Sequence, residues 1–137
     1  MRWRVRPESD QPIYEQIVDQ VAHAVAEEHL TAGALIPSVR ELAEKLLVNP
    51  NTVARAYQEL ERQGVVTPRR GLGMEVTPTA PDLCRARRRE RAGQQIHEAI
   101  AEALAGGLTP EELRALIDPL LEAAENGQST RRPKEKR

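Results

Sequence analysis

Two helix starts lie eleven residues apart within residues 37–57, which read PSVRELAEKLLVNPNTVARAY. The first is Ser38, which forms a capping-box pattern with Glu41 because each side chain can accept a hydrogen bond from the backbone N–H of the other. The second is Asn49, a preferred N-cap residue, and Pro50 follows it at the first helical position. The stretch therefore predicts a helix of about two turns, a tight turn and another helix.

An amphipathic helix is predicted on the N-terminal side of this stretch. Apolar residues recur every three or four positions from Gln11 to Glu28, which is typical of a helix with one buried face, and Pro12 suits its first turn. On the C-terminal side, the helix that starts at Asn49 is expected to end at Gly64, where a left-handed residue is favoured. Its predicted inward face is Val53, Ala56, Tyr57 and Leu60.

Residues 65–77 predict a small β-hairpin, because two short β-prone segments flank a glycine-rich tip at residues 68–73. A helix, a short helix, a tight turn, a helix and a hairpin follow one another in this order. This is the layout of a winged helix-turn-helix, in which the N-terminus of the third helix enters the DNA major groove.

The remaining chain predicts two more helices with apolar stripes that a single chain leaves uncovered. The last of them begins with a capping box from Thr109 to Glu112 and ends at Gly127. Uncovered stripes favour a homodimer. The predicted dimerisation residues are Ile96, Ile100, Leu104, Leu113, Leu116, Ile117 and Leu120.

The predicted fold class is therefore mainly α with a small β-hairpin, a winged helix-turn-helix followed by two C-terminal dimerisation helices. The expected parts are an N-terminal arm at 1–10, the winged helix-turn-helix at 11–77, a hinge at 78–81, a two-helix dimerisation region at 82–127 and a disordered tail at 128–137. Two prolines bracket the hinge, and the tail is polar throughout.

The composition excludes several classes of function. Lysine and arginine (20) balance the acids (21), so basic residues that bind a polyanion must be grouped locally. Aromatic residues make up 2% of the chain, which argues against an RNA module built on base stacking. One cysteine, Cys84, excludes an internal disulfide and a multi-cysteine zinc site. No catalytic constellation, nucleotide fingerprint or membrane-length apolar run occurs. We expect a cytoplasmic protein that is not an enzyme and uses no metal or cofactor.

The chain resembles the GntR-type bacterial transcription regulators over roughly residues 11–77. The matching segments are QPIYEQI at 11–17, LIPSVRELA at 35–43, VNPNTV at 48–53, AYQELE at 56–61 and RGLG at 70–73. The forms PSVR and NPNTV, with only about 60 residues after the hairpin, are similar to the short YtrA subfamily. The resemblance implies a DNA operator as partner and two C-terminal helices for dimerisation in place of a large effector-binding domain.

A set of polar and basic residues on the helix-turn-helix and the wing is predicted to contact double-stranded DNA. The predicted set is Ser38, Arg40, Asn49, Pro50, Asn51, Thr52, Arg55, Arg69, Arg70 and Gly71. Asn51 suits an adenine edge, and Arg55 suits guanine or a phosphate. The helix N-terminus at Asn49 favours a phosphate, as do the two wing arginines beside their glycines.

The chain departs from the family pattern at three positions. Ala54 stands where many relatives have arginine, and Arg55 follows one residue later, about 100° further around the helix. Leu47 occupies a turn position that often carries glycine, and a left-handed conformation there would cost roughly 1 kcal/mol. Glu75 is an acid near the predicted DNA surface, so we expect its side chain to point away from DNA.

Several arginines have a second interpretation. Arg40 could pair with Glu44, and Arg55 could simply be solvated. We interpret the arginines within residues 85–91 as a solvated helix face near the dimer junction rather than as a nucleic-acid patch. The arginines of residues 1–10 fit an arm along DNA and a solvated terminus equally well.

The favoured function is a homodimeric, sequence-specific regulator, most simply a repressor, that binds a palindromic operator. Two other classes are compatible with the sequence. One is a protein-interaction adaptor that keeps the winged-helix scaffold, and the other is an RNA-binding module that uses the arginines at 85–91. The sequence identifies no operator and no small-molecule effector.

Overall fold

The computed structural model describes residues 1–127, and the predicted tail at 128–137 lies outside the described residues. The elements are α1 (Ile13–Ala26), α2 (Val39–Leu46), α3 (Pro50–Arg62), β1 (Val66–Arg69), β2 (Gly73–Val76), α4 (Ala80–Ala105) and α5 (Pro110–Glu125). The order of three helices, a hairpin and two helices is the predicted one, and the predicted fold class is confirmed.

The first helix is slightly shorter than the sequence pattern indicates. Pro12 is the N-cap of α1 rather than a residue of its first turn, since its ψ angle of 145° is extended rather than helical. The apolar stripe is confirmed, because Ile17, Val21 and Val25 are fully buried. This stripe forms one wall of the core.

Both predicted helix starts in residues 37–57 are confirmed. The Glu41 N–H donates to Ser38 Oγ at 3.1 Å, and the Ser38 N–H donates to Glu41 Oε1 at 3.4 Å. At α3, the Asn51 N–H donates to Asn49 Oδ1 at 2.8 Å, with Pro50 in the first turn. Each cap satisfies backbone donors that would otherwise lack a partner inside the helix.

The turn between α2 and α3 depends on a left-handed residue. Leu47 has φ 57° and ψ 46°, and its N–H donates to the Glu44 carbonyl at 3.4 Å. The Leu47 side chain is 90% exposed, so packing does not repay the backbone strain. The conformation redirects the chain within two residues so that α3 can start at Pro50.

The predicted inward face of α3 is confirmed and forms the centre of the core. Val53, Ala56 and Leu60 are fully buried, and Tyr57 is nearly so. The Tyr57 hydroxyl donates to the Pro37 carbonyl at 2.7 Å, which ties α3 to the segment that precedes α2. Burial, with a smaller effect from the Glu41 carboxylate, raises the pKa of Tyr57, so this hydroxyl keeps its proton.

The wing is the predicted hairpin with a shorter tip. Val66 pairs with Val76 and Arg69 with Gly73, so Pro68 and Arg69 belong to β1 rather than to the tip. Proline is tolerated there because β1 is an edge strand. The loop between α1 and α2 extends the sheet, since the Gly33 N–H donates to the Val76 carbonyl and the Ile36 N–H to the Met74 carbonyl.

The predicted hinge at 78–81 is incorrect in its second half, because α4 begins at Ala80 and Pro81 lies in its first turn, where proline is favoured. Ala80 and Cys84 are buried against the core. The first compact unit accordingly comprises residues 1–91, and a second unit begins at Ala92. The two-helix region predicted at 82–127 therefore starts two residues too late, because the burial that fixes the start of α4 leaves no local signal in the sequence.

The N-terminal arm lies along α1. The Arg6 N–H donates to Gln16 Oε1 at 2.7 Å, and Gln16 Nε2 donates to the Arg6 carbonyl at 2.9 Å. Gln20 pairs with the backbone of Arg4 in the same way. The Trp3 side chain packs against the core, whereas the arginine side chains of the arm are exposed. The arm backbone is therefore held by two glutamine amides rather than solvated.

Replacing Leu47 by glycine should stabilise the protein. Leu47→Gly relieves the left-handed strain and loses almost no packing, so we expect the free energy of unfolding to rise by about 0.5–1 kcal/mol in urea titrations. Lys45→Gly is the matched control, because Lys45 is an exposed residue in the last turn of α2. It should lower the free energy of unfolding by about 0.5–1 kcal/mol. Equal losses in both variants would contradict strain at Leu47.

Acid should weaken the packing of α4 on α1 through Asp19. Burial raises the pKa of Asp19, but hydrogen bonds from Arg87, Gln11 and Arg91 outweigh burial and hold the pKa below its ordinary value of 3.8. The stabilisation is therefore complete above that value and is lost as the pH falls through the lower folded-state pKa. We expect Asp19→Asn to be less stable than wild type at pH 7 and to lose less stability on acidification.

Asp82→Asn is the control for this pH dependence, measured by urea unfolding at each pH. Asp82 pairs with Arg85 at 2.7 Å, but its side chain is exposed, so the pair contributes little. The Asp82→Asn variant should keep the wild-type pH profile. A wild-type profile in Asp19→Asn would show that the half-buried Asp19 carboxylate has no such role.

Candidate nucleic-acid interface

The N-terminus of α3 carries the predicted reading residues on its open side. Asn51 is exposed and Thr52 is half-buried beside the fully buried Val53. The Oδ1 atom of Asn49 is occupied as the helix cap, so this side chain keeps only its amide N–H groups for an outside partner. Asn51 is therefore the exposed amide at this end whose side chain can both donate to and accept from a base edge, as the hydroxyl of the half-buried Thr52 also can.

At the start of α2, a hydroxyl and a guanidinium lie on the solvent side. Ser38 Oγ accepts the cap hydrogen bond from Glu41, which leaves its O–H free to donate. Arg40 Nε lies 3.8 Å from Glu44 Oε1, and both side chains are highly exposed. The alternative pairing of Arg40 is thus present, but such an exposed pair contributes little and leaves the guanidinium available.

Arg55 is oriented by an aromatic ring. Its guanidinium carbon lies 3.9 Å from the centroid of the Tyr14 ring on α1. Stacking on a ring is favourable and leaves the N–H edges of a guanidinium free. The solvated interpretation of Arg55 is therefore incomplete, because α1 holds the charge in place while its donors stay accessible.

The two wing arginines differ in their surroundings. Arg69 Nε lies 2.7 Å from Glu75 Oε2, and the Glu75 side chain is only 18% exposed. Glu75 therefore neutralises Arg69, a pairing that the sequence had not predicted, and its orientation away from DNA stays a prediction. The hairpin register explains the pair, because Glu75 lies opposite Thr67 and so is diagonal to Arg69 on the same face. Arg70 and Gly71 lie at the exposed tip.

The arginines at 85–91 act mainly within the protein. Arg87 and Arg91 each lie 2.6 Å from Asp19 Oδ1, and Arg88 lies 3.1 Å from Glu27. These pairs attach the first turns of α4 to α1. The predicted solvated face is therefore wrong for the half-buried Arg87, since helix periodicity alone cannot reveal an acid 68 residues away in the chain. Arg91 is exposed and also pairs with Asp19.

The predicted dimerisation residues form exposed apolar stripes on α4 and α5. Ile96 is 59% exposed and Leu116 is 60% exposed. Leu104 and Leu120 are also exposed, and the remaining residues of the set are half-buried: Ile100, Leu113 and Ile117. The capping box at Thr109 that starts α5 is confirmed.

Residues 1–127 were also compared with the requirements of a metal site, a reactive thiol and a membrane-spanning helix. No group of three or more His, Cys, Asp or Glu in this range is placed to hold a metal ion. Burial raises the pKa of Cys84, so its thiol stays protonated and packs as a small apolar group. No helix within the same residues is both long and apolar enough to cross a membrane.

Comparison with known proteins agrees with this geometry. The profile of the bacterial regulatory proteins of the gntR family matches residues 13–76. The HTH-type transcriptional repressor YtrA of Bacillus subtilis (strain 168) is 35% identical over 114 residues, which are 83% of this chain and 88% of that protein.

Solved structures give the same result. The crystal structure of a transcriptional regulator from Oenococcus oeni aligns with a TM-score of 0.72 at 32% sequence identity. The alignment covers 85% of this chain and 97% of that protein's chain. A GntR family transcriptional regulator from Listeria monocytogenes aligns with a TM-score of 0.67 at 32% sequence identity, over 82% of this chain and 97% of that protein's chain. The chain therefore belongs to the GntR family of DNA-binding bacterial transcription regulators.

Proposed function

We propose that two copies of this chain bind a palindromic DNA operator and repress the adjoining promoter. The observation that carries the proposal is the arrangement of side chains at the N-terminus of α3. Its inner face is buried, whereas Asn51 is exposed and Arg55, one turn further along, stacks on the Tyr14 ring. The repressor role is supported by the similarity to YtrA, which is named a transcriptional repressor.

The proposed contacts divide into two groups. Asn51, Thr52 and Arg55 read base edges in the major groove, since they lie on the open side of α3. The residues that fix the position of the protein through phosphates are Ser38, Arg40, Asn49, Arg69, Arg70 and Gly71, whereas Pro50, which has no N–H to donate, makes only apolar contact with the DNA backbone. Within this second group Arg70 is the main cation of the wing, because Glu75 neutralises Arg69.

The homodimer is supported by the apolar stripes of α4 and α5. Large apolar side chains such as Leu116 and Leu120 lose favourable burial when they face water. A two-fold axis through these stripes would present two α3 helices to two half-sites and so requires a palindromic operator.

Selection from random duplex DNA tests the proposal. Purified protein is mixed with a random-sequence duplex library at about 150 mM salt, and the retained DNA is sequenced. We expect a two-fold symmetric motif. Weak, salt-sensitive binding without any enriched motif would contradict the proposal and would favour the adaptor function.

Substitutions in α3 and in the wing should have different effects. Arg70→Ala should weaken binding to the selected operator and to a random duplex alike, and it should lower the slope of log K against log salt by about 1. Asn51→Ala should cost about 1–3 kcal/mol on the operator alone. Fluorescence anisotropy at several salt concentrations measures both, with Arg85→Ala as a charge-matched control that keeps wild-type affinity. The same loss of specificity in both variants would refute this division.

A charge in the apolar stripe of α5 should separate the dimer. Leu116→Glu combined with Leu120→Glu should give a monomer in sedimentation experiments, because burying two unpaired carboxylates is unfavourable. Arg114→Glu adds the same charged group at an exposed position of α5 and should remain dimeric. A dimer that persists in the double variant would place the interface elsewhere.

A further inference from the structure

The tip of the wing exposes a leucine. Residues 70–73 read Arg-Gly-Leu-Gly, and Leu72 is 67% exposed. Its N–H donates to the Arg69 carbonyl at 2.9 Å, which closes the turn. A turn in water ordinarily carries a polar residue, and nothing in the wing covers this side chain.

The tip is narrow because glycine flanks the leucine on both sides. Gly71 has φ +78° and Gly73 has φ +114°, conformations that other residues rarely adopt. A Cβ atom at either glycine would meet no atom within 4 Å, so the glycines serve the backbone conformation and not internal packing. Residues 69–73, which form this tip, are all exposed.

Only one of the two wing arginines is available to an outside partner. The Arg69 guanidinium is held by Glu75 at 2.7 Å, so Arg70 is the cation next to the apex. Arg70 and Leu72 lie on either side of Gly71, the central residue of the three-residue loop between β1 and β2, so one cation and one exposed apolar side chain are presented together. This combination suits a DNA minor groove, which attracts arginine by its negative potential and is about 6 Å wide.

We propose that Leu72 enters the minor groove beside each half-site as an apolar wedge, and that it makes the protein prefer a deformable pyrimidine–purine step there. This inference rests on the proposed operator binding. Leucine is among the side chains that separate stacked base pairs, and the cost of separation depends on the step. Leu72 therefore reads sequence through deformability, whereas Asn51 reads it through hydrogen bonds.

The test compares duplexes that differ in a single step. The selected operator is prepared with a TA or an AA step at each position flanking the major-groove half-sites, and dissociation constants are measured by fluorescence anisotropy. Wild type should prefer TA at one symmetric flanking position by about fivefold or more. Leu72→Ser should abolish that preference, and Leu72→Met should retain it because methionine is also an apolar wedge.

Leu47→Ser is the control, since it removes another exposed leucine from a different turn and should keep the wild-type preference. Arg70→Ala should weaken both duplexes equally. An unchanged step preference in Leu72→Ser would overturn the wedge while operator binding stands. Wild type that does not distinguish the operator from a random duplex would overturn the proposed function as well.

Discussion

The burial of one face of α3 is the constraint on which the other features of the first unit depend. Val53, Ala56 and Leu60 are fully enclosed by α1, α2 and the base of the wing, and the Tyr57 hydroxyl fixes the same helix to the Pro37 carbonyl. Because this face cannot turn outward, Asn51 is left in solvent. The left-handed Leu47 then sets the angle at which α3 leaves α2, at the cost of local strain.

Several arginines near the proposed interface and on α4 are paired with acids of the same chain. A chain with a net charge of −1 gains no general attraction to DNA. Asp19 and Glu27 bind three of the arginines of α4, and Glu75 binds one of the two wing arginines. The remaining cations at the proposed interface are few and specifically placed, which favours discrimination between sequences over non-specific binding.

The local elements could be predicted from the sequence because their signals lie within a few residues. The caps at Ser38, Asn49 and Thr109 depend on hydrogen bonds to residues two or three positions away, and all three are observed. The inward face of α3 follows from helical periodicity alone. The glycines of the wing tip indicate a turn in the same way, whereas a leucine at position 47 does not by itself predict the left-handed conformation that is observed.

What could not be predicted depends on contacts between distant segments. The start of α4 is set by burial of Ala80 and Cys84, and its arginines are placed by an acid on α1. The pairing of Arg69 with Glu75 requires the register of the hairpin, and the support of Arg55 by Tyr14 requires the packing of α1 on α3. The DNA contacts and the dimer remain predictions, because both depend on a second molecule.

Amide chemical-shift mapping with the selected operator tests directly whether α3 and the wing tip contact DNA. Isotope-labelled protein is titrated with the duplex, and shift changes are followed for each residue. The largest changes are expected at Asn51, Thr52 and Gly71, with smaller ones at Arg40. Changes concentrated at residues 85–91, with α3 and the wing tip unaffected, would contradict this interface.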